Sequence, residues 1–326
     1  MKTVHLRICH RIKIVAMLLV LVPIISCSSD TDEVPPTEPD VVDNPDTTPP
    51  VENKVRTLLS SFRANDGLSV DADGMVYASD FNNFMGVQVL RVDPESAAVE
   101  VAVDNVQAPT GNVTDDSGNT FVVHNVRQPD PNSSDTVGDV IRVDSDGNRT
   151  TIATLPGFPS GIALDADGNL YVSNFDFPGV HQIDTNGEIS IYAEDDRLTG
   201  GVGITFDNDG NLYVGNFTTG AILRIASDQT VERMAIIPTV RQGVVIGYLT
   251  FFNDFIYATG IGEHVIYRVS LTGEASIIAG SGTQSSTDGS LLGATFDQPN
   301  GIAADPDKNV LYVNEIGGTL RVIDLN

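Results

Sequence analysis

Short runs of alternating apolar and polar residues fill the chain from about residue 54 to its end. In "GIALDADGNLYVSN", which begins at Gly161, two such runs flank the polar turn "DADG". Alternation with a period of two predicts β-strands with one buried face, and aspartate, asparagine and glycine favour tight turns between them. "VHQID" and "EISIYA" follow around the turn "TNG", so this stretch predicts four antiparallel strands.

The four-strand pattern occurs six times along the chain. The spacings between successive units are 44, 50, 42, 44 and 54 residues, and the units open at Gly67, Gly111, Gly161, Gly203, Gly247 and Gly301. A repeat of this length with four strands is that of a propeller blade. The longer spacings contain two polar insertions, "QPDPNSSDT" in unit two and "GSGTQSSTDGSLLGATFDQ" before unit six.

The two ends of the repeat region are complementary. Unit six stops after its third strand, "TLRVIDLN", whereas an unmatched strand, "KVRTLLSSF", precedes unit one. We therefore predict an all-β, six-bladed β-propeller over residues 54–326, in which the N-terminal strand completes the last blade. Completing that blade removes an unpaired strand edge from the ring.

The first 53 residues have a different composition. Basic residues through Lys13 precede the apolar run from Ile14 to Ile25, which is too short to cross a bilayer but typical of a signal peptide. "PIISC" resembles a bacterial lipoprotein box, which implies that residues 1–26 are removed and that Cys27 is lipidated. An ordinary signal peptide with an incidental cysteine is the alternative. Residues 27–53, rich in acids and prolines, predict a disordered tether.

Charge and targeting together restrict the partners that we expect. The formal net charge is −26, with 44 acidic and 18 basic residues, and such a surface repels nucleic acid. We expect a monomer that is anchored to a membrane through its lipid. Its location would be the bacterial cell envelope, in the outer membrane or on the cell surface, and the sequence leaves open whether it faces the periplasm or the exterior.

The ring of repeats resembles a known family. The segment from Ala279 to Leu325, "AGSGTQSSTDGSLLGATFDQPNGIAADPDKNVLYVNEIGGTLRVIDL", is similar to an NHL repeat. The six units as a whole resemble the gluconolactonase/regucalcin-like six-bladed propellers, over Lys54 to Asn326. The resemblance is specific for the fold. It does not specify the chemistry, because such propellers include lactonases, sensor domains and binding modules.

The resemblance implies a candidate metal site in the channel. Gluconolactonase-like enzymes hold a divalent metal there with oxygen-bearing residues placed immediately before the opening glycines. In this chain those positions carry Asp66, Thr110, Ser160, Val202, Ile246 and Asn300. The resemblance therefore implies that Asp66 and Asn300 bind Ca²⁺ or another divalent cation. The apolar Val202 and Ile246 depart from the family pattern.

A second ring of polar residues ends the second strand of five units. Its members are Asp80, His124, Asn174, Asn216 and Glu315. We interpret them as a polar cup that binds a ligand, and the alternative is that they cap the turns after their strands. Aromatic residues follow three of them, and these either present stacking faces or pack between blades: Phe81, Phe175 and Phe217.

These observations leave several functional hypotheses. The first is an envelope-anchored propeller that binds a small polar ligand or a protein partner at one face of the channel. The alternative is a metal-dependent lactone or ester hydrolase of the gluconolactonase type, and a structural or adhesion module is a third. We also expect four oxygen-bearing side chains to gather on one side of the channel: Asp66, Asp80, Asn300 and Glu315.

Overall fold

The computed structural model describes residues 54–130, 134–239 and 243–326. The predicted signal peptide, Cys27 and the predicted tether lie outside the described residues. Within the described residues, none of the helical segments has the length and apolar character that a membrane crossing requires. The fold described below belongs to the compact unit Pro49–Asn326.

Six antiparallel sheets form the six blades that the repeat pattern predicts, and this prediction is confirmed. The first strand of the chain is β1 (Lys54–Ser60). Blades one to three consist of β2 (Leu68–Val70), β3 (Val76–Ser79), β4 (Val89–Val92) and β5 (Val99–Val103); β6 (Asn112–Thr114), β7 (Thr120–Arg127), β8 (Val137–Val143) and β9 (Arg149–Pro156); and β10 (Pro159–Leu164), β11 (Leu170–Asn174), β12 (Gly179–Ile183) and β13 (Ile189–Glu194).

Blades four to six follow the same order along the chain. They consist of β14 (Gly201–Phe206), β15 (Leu212–Asn216), β16 (Ala221–Ile225) and β17 (Val231–Ile236); β18 (Ile246–Phe252), β19 (Phe255–Gly260), β20 (Val265–Ser270) and β21 (Ala275–Ala279); and β22 (Gly289–Ser290), β23 (Pro299–Asp305), β24 (Val310–Glu315) and β25 (Thr319–Asp324). Two short 3₁₀ turns, Asn82–Phe84 and Asp196–Leu198, interrupt the strand pattern.

The N-terminal strand closes the ring, as predicted. β1 pairs antiparallel with β25, and the register places Val55 opposite Ile323 and Ser60 opposite Thr319. The sequence does not predict β22, a short strand of the second insertion that pairs with the outer edge of β1. The insertion therefore adds a fifth strand to blade six and covers the edge that the closing strand would otherwise expose.

The apolar cores lie between neighbouring blades rather than within one blade. In one such core, Val76 and Ala78 of blade one pack with Tyr312 and Val322 of blade six, and all four side chains are buried. A sheet buries apolar residues on both faces when each face meets another sheet. The alternating strands therefore supply one face to the preceding blade and the other face to the next.

The aspartate-rich turns are local structures, as the sequence indicates. In blade three, Asp165 Oδ1 accepts hydrogen bonds from the backbone N–H of Asp167 at 2.9 Å and of Asn169 at 2.8 Å. Gly168 completes the turn with a φ of 88°, a conformation that glycine adopts without strain. The same pair of bonds recurs at Asp71, Asp115, Asp144, Asp184 and Asp207.

Glycines on the inner strands allow the blades to approach one another closely around the channel. A Cβ atom at Gly161 would lie 2.1 Å from the carbonyl oxygen of Val202 in the next blade. The corresponding distance is 2.2 Å between Gly301 and the carbonyl oxygen of Asp66. The opening glycines Gly67, Gly111 and Gly203 would also clash with backbone atoms of the next blade. Any side chain at these positions would push two blades apart.

Blade five departs from this pattern by one residue. Strand pairing places Ile246 opposite Gly260 and Leu249 opposite Ala258, whereas blade four pairs Gly201 with Asn216 and Ile204 with Val214. Tyr248 therefore occupies the place of an opening glycine, and Gly247 occupies the place before it. The sequence alignment that put Ile246 in the inner ring is wrong at this blade, and Ile246 is buried in the core.

We predict that Gly161→Ala strongly destabilises the propeller. The added methyl group would meet rigid backbone, so we expect a loss of about 3 kcal/mol or more in the free energy of unfolding. Gly289→Ala is the matched control, because its nearest neighbour would be at an ordinary contact distance of 3.5 Å. Urea unfolding of both variants measures the difference, and equal stabilities would contradict the role of the inner-strand glycines.

Candidate functional site

A cavity of about 430 Å³ opens at the end of the channel where the inner strands begin. Its wall combines residues that precede the opening glycines with residues that follow the second strands. It is lined by Asp66, Phe81, Phe84, Thr110, Phe158, Ser160, Phe175, Asp176, Val202, Phe217, Tyr248 and Asn300. All six blades therefore contribute to the wall, and blade five does so through Tyr248.

Five phenylalanine rings form a continuous arc along one side of the cavity. Going around the arc, the ring centroids are 4.7 Å apart for Phe81 and Phe84, and 5.9 Å apart for Phe84 and Phe158. Phe158 lies 6.1 Å from Phe175, which lies 5.9 Å from Phe217. The last three contacts are edge-to-face and the first is tilted, and together they hold the rings in place, yet Phe84 is 51% exposed. The arc offers apolar surface to whatever enters the cavity.

A buried acid and a buried phenol form the polar part of the cavity. Asp66 and Tyr248 are only 8% and 6% exposed. Tyr248 reaches across from blade five to blade one, since its Cε1 lies 3.3 Å from where a Cβ of Gly67 would be. Burial raises the pKa of Asp66 to about 7, although the nearby Tyr248 hydroxyl and the Gly67 amide lower it. No hydrogen bond of good geometry satisfies Tyr248 Oη among the described residues.

The remaining polar residues of the wall are largely held by backbone groups. Asn300 donates from Nδ2 to the carbonyl oxygen of Asn65 at 2.7 Å, which leaves its Oδ1 as an acceptor. The Thr110 hydroxyl donates to the carbonyl oxygen of Ser160 at 3.0 Å. The structure therefore brings the two predicted metal residues, Asp66 and Asn300, into the wall of one cavity.

The five residues of the second ring are placed differently, and none of these described side chains lines the cavity. Asn174 accepts hydrogen bonds at Oδ1 from the backbone N–H of Phe158 and Phe177, both at 2.9 Å. Asn216 donates from Nδ2 to the carbonyl oxygen of Thr199 at 2.7 Å. Both side chains act as turn caps, which is the alternative that the sequence left open.

Glu315 is held in an ion pair inside blade six. Glu315 and Arg321 are both 0% exposed, and Arg321 Nη1 donates to Glu315 Oε1 at 3.1 Å. Glu315 Oε1 also accepts from the backbone N–H of Asp297 at 3.1 Å, and Oε2 accepts from Ser286 and Thr319. These contacts tie the second insertion to the closing blade.

Asp80 and His124 complete the second ring. Burial raises the pKa of Asp80, which the charge of Arg63 partly offsets, and its Oδ1 has no hydrogen-bond partner among the described residues. Burial lowers the pKa of the half-buried His124, against the raising effect of Asp139. The expectation that four oxygen-bearing side chains gather on one side of the channel is therefore wrong. Only Asp66 and Asn300 reach the cavity, whereas Asp80 and Glu315 do not line it.

A ring of inter-blade hydrogen bonds lies one residue before the second ring, and the sequence reasoning missed it. Ser173 Oγ and Thr259 Oγ1 each donate at 2.6 Å to a carbonyl oxygen of the next blade, at Val202 and Asn300 respectively. Asn314 Nδ2 donates to the carbonyl oxygen of Asp66 at 2.6 Å. Successive strand residues point to opposite faces. These side chains therefore face the channel axis, and the second-ring residues that follow them face the turns.

The donors in the cavity fit a resident divalent cation incompletely. Calcium binds six to eight oxygens, usually from several carboxylates. Asp66 is the one carboxylate of the inner ring, Val202 is apolar, and Asp176 lies exposed at the rim. Among the described residues, no group of three or more histidine, cysteine, aspartate or glutamate side chains could hold a metal ion.

Comparison with known proteins supports the fold. Residues 45–194 match the family described as "SMP-30/Gluconolactonase/LRE-like region". The resemblance to gluconolactonase-like propellers is confirmed. A comparison with curated proteins finds no match.

Three solved structures illustrate the range of proteins with this propeller fold. An auxiliary nutrient binding protein from Bacteroides thetaiotaomicron has a TM-score of 0.69 and 16% identity, covering 83% of this chain and 76% of that one. A gluconolactonase from Xanthomonas campestris has a TM-score of 0.63 and 15% identity, covering 84% and 90%. Virginiamycin B lyase from Staphylococcus aureus has a TM-score of 0.59 and 16% identity, covering 84% and 100%.

We predict that Asp66→Asn stabilises the propeller above neutral pH. The pKa of Asp66 rises from 3.8 to about 7 on folding, so the folded state binds the extra proton and loses stability as the pH rises through 7. The asparagine variant avoids that loss. Its advantage over the wild type should grow from near zero at pH 4 to as much as about 4 kcal/mol at pH 8.

Asp165→Asn is the control of opposite sign. Burial raises the pKa of Asp165, but hydrogen bonds from Asn169 and Tyr171 outweigh it and leave that pKa lowered. This variant should lose stability at pH 8 and recover towards the wild type as the pH falls below 4. Urea unfolding at several pH values measures both effects. A difference between Asp66→Asn and the wild type that does not vary with pH would contradict the raised pKa.

Proposed function

We propose that this protein is a binding module of the bacterial cell envelope, which holds a small ligand with an apolar part in the cavity at the channel mouth. The arc of five phenylalanines beside a buried polar pair is the observation that carries the proposal. Ligand sites are typically concave, mostly apolar and equipped with a few converging polar groups. A cavity of about 430 Å³ lies within the usual range for small molecules.

The character of the wall refines the first hypothesis from the sequence. That hypothesis invoked a polar ligand and a cup made from the second ring. The second-ring asparagines serve as turn caps, whereas Phe81, Phe175 and Phe217 line the cavity. A ligand of this cavity would therefore stack an apolar group on the arc and direct a polar group towards Asp66 and Tyr248.

The structural neighbours support a binding role as well as a catalytic one. Auxiliary nutrient binding proteins from Bacteroides thetaiotaomicron and Bacteroides ovatus share the propeller, with TM-scores of 0.69 and 0.66. A gluconolactonase from Xanthomonas campestris shares it with a TM-score of 0.63. Because all three are under 25% identical to this chain, the chemistry of its own cavity has to decide between these roles.

A metal-dependent lactone or ester hydrolase is the second candidate. The observation in its favour is that Asp66 and Asn300 line the same cavity. The incomplete donor set weighs against it, and we derive no hydrolytic step. Turnover of glucono-1,5-lactone that depends on added calcium and is lost in Asp66→Asn would favour this candidate over the binding module.

We predict that the neutral probe 2-(naphthalen-2-yl)ethanol binds the wild-type protein and that Phe217→Ala weakens the binding about five- to thirtyfold. Loss of one stacking ring removes roughly 1–2 kcal/mol of contact energy. The chain has no tryptophan, so a fluorescence titration of the naphthalene has little background from the protein.

Phe255→Ala is the matched control for this titration. Phe255 is half-buried like Phe217, but its ring lies under the Arg268 guanidinium, 4.5 Å from the ring centroid, and does not line the cavity. Its truncation should leave the affinity for the probe within about twofold of the wild type. Undetectable binding of the probe to the wild type, or equal losses in the two variants, would contradict a binding site at the aromatic arc.

The envelope location rests on the first 27 residues of the sequence. We predict that Cys27→Ala abolishes labelling with radioactive palmitate and either releases the protein from membranes or leaves it at its precursor mass. Cys9→Ala is the control, because Cys9 lies within the segment that would be removed. Membrane fractionation and mass spectrometry follow the outcome. A Cys27→Ala protein that is still labelled and still sediments with membranes would contradict lipidation at this residue.

A further inference from the structure

The ionisable side chains that line the cavity are all acidic. The lining residues include two acids, Asp66 and Asp176, and the phenol of Tyr248, and none of these described lining residues is basic. The elements that pack against Asp66 contribute the neutral side chains Thr110, Asn300 and Asn314. The cavity therefore presents negative charge that no cationic group of its own wall balances.

Asp66 differs in this respect from Glu315, the most buried acid among the described residues. Glu315 is 0% exposed, but Arg321 forms an ion pair with it. Asp66 is 8% exposed and takes part in no ion pair among the described residues. A buried carboxylate without a cationic partner is unfavourable, and a cation that enters the cavity would reduce the penalty.

The surroundings of Asp66 indicate which kind of cation fits. A hard metal ion needs many oxygen ligands, whereas much of this wall consists of aromatic rings. Aromatic faces attract organic ammonium ions through the ring quadrupole and at the same time bury apolar substituents. Tyr248 Oη, which is buried and has no hydrogen-bond partner among the described residues, can accept a hydrogen bond from an ammonium N–H.

We infer that the cavity recognises an organic ammonium ion, namely an amine with an aromatic or other bulky apolar substituent, whose nitrogen pairs with Asp66 while the substituent stacks on the phenylalanine arc. The inference rests on the proposed binding function and names the chemical class of the ligand. The ammonium group would lie between Asp66 of blade one and Tyr248 of blade five.

Two isosteric probes test the sign of the recognised charge. The full-length protein is titrated at pH 8 with 2-(naphthalen-2-yl)ethylamine, which is cationic, and with 2-(naphthalen-2-yl)ethanol, which is neutral and similar in shape. We expect the amine to bind at least tenfold more tightly than the alcohol. In Asp66→Asn the amine and the alcohol should bind within about twofold of each other, so that the preference for the cation is lost. Asp165→Asn should preserve the tenfold preference.

The pH dependence in the wild type is an independent readout that requires no variant. The raised pKa of Asp66, about 7, means that most molecules carry a protonated carboxyl at pH 6. The amine should therefore bind about tenfold more weakly at pH 6 than at pH 8, and the alcohol should bind equally at both. Tyr248 does not interfere, because burial first and the Asp66 charge second keep its pKa well above 10.

The outcomes separate the inference from the proposed function. Equal binding of amine and alcohol, or a preference for the amine that survives in Asp66→Asn, would overturn the inference and leave the binding cavity in place. Failure of both probes to bind would overturn the proposed function as well. Calcium chloride is the third arm. Displacement of the amine by millimolar calcium, with a rise in melting temperature that Asp66→Asn removes, would assign the site to a metal and overturn the inference.

Discussion

The distance between neighbouring inner strands sets the geometry of the whole propeller. A methyl group at Gly161 or Gly301 would lie within 2.2 Å of a backbone carbonyl oxygen in the next blade. Because the strands come so close, side chains such as Ser173 and Asn314 reach across to the next blade and satisfy its carbonyl oxygens. The same closeness buries apolar residues on both faces of every sheet.

Blade five has a tyrosine where the other blades have an opening glycine. With Tyr248 in the place of an opening glycine, a phenol crosses the channel towards blade one. Its ring helps to take Asp66 out of water, and that burial raises the pKa of the acid to about 7. This one departure from the repeat therefore places the phenol beside the acid in the wall of the cavity.

Two buried carboxylates, Glu315 and Asp66, illustrate two uses of the same chemical group. Glu315 is surrounded by donors, including Arg321 and the Asp297 amide, and it fastens the second insertion to the closing blade. Asp66 faces a cavity and has an unpartnered hydroxyl beside it. A buried charge that is satisfied within the fold stabilises structure, whereas one that is left unsatisfied at a cavity is available to a ligand.

The sequence by itself determined the number of blades, the closing strand and the aspartate turns, because these follow from local alternation, spacing and the backbone freedom of glycine. It also placed Asp66 and Asn300 at the channel. Only the tertiary structure decided which of two adjacent residues at a strand end faces the axis: the alternation puts Ser173 and Phe175 on the channel side and turns Asn174 away. Phe84 and Phe158 join the arc, and Arg321 neutralises Glu315, through contacts between residues far apart in the chain. Such contacts leave no periodic signal in the sequence, so they can be identified only from the packed blades.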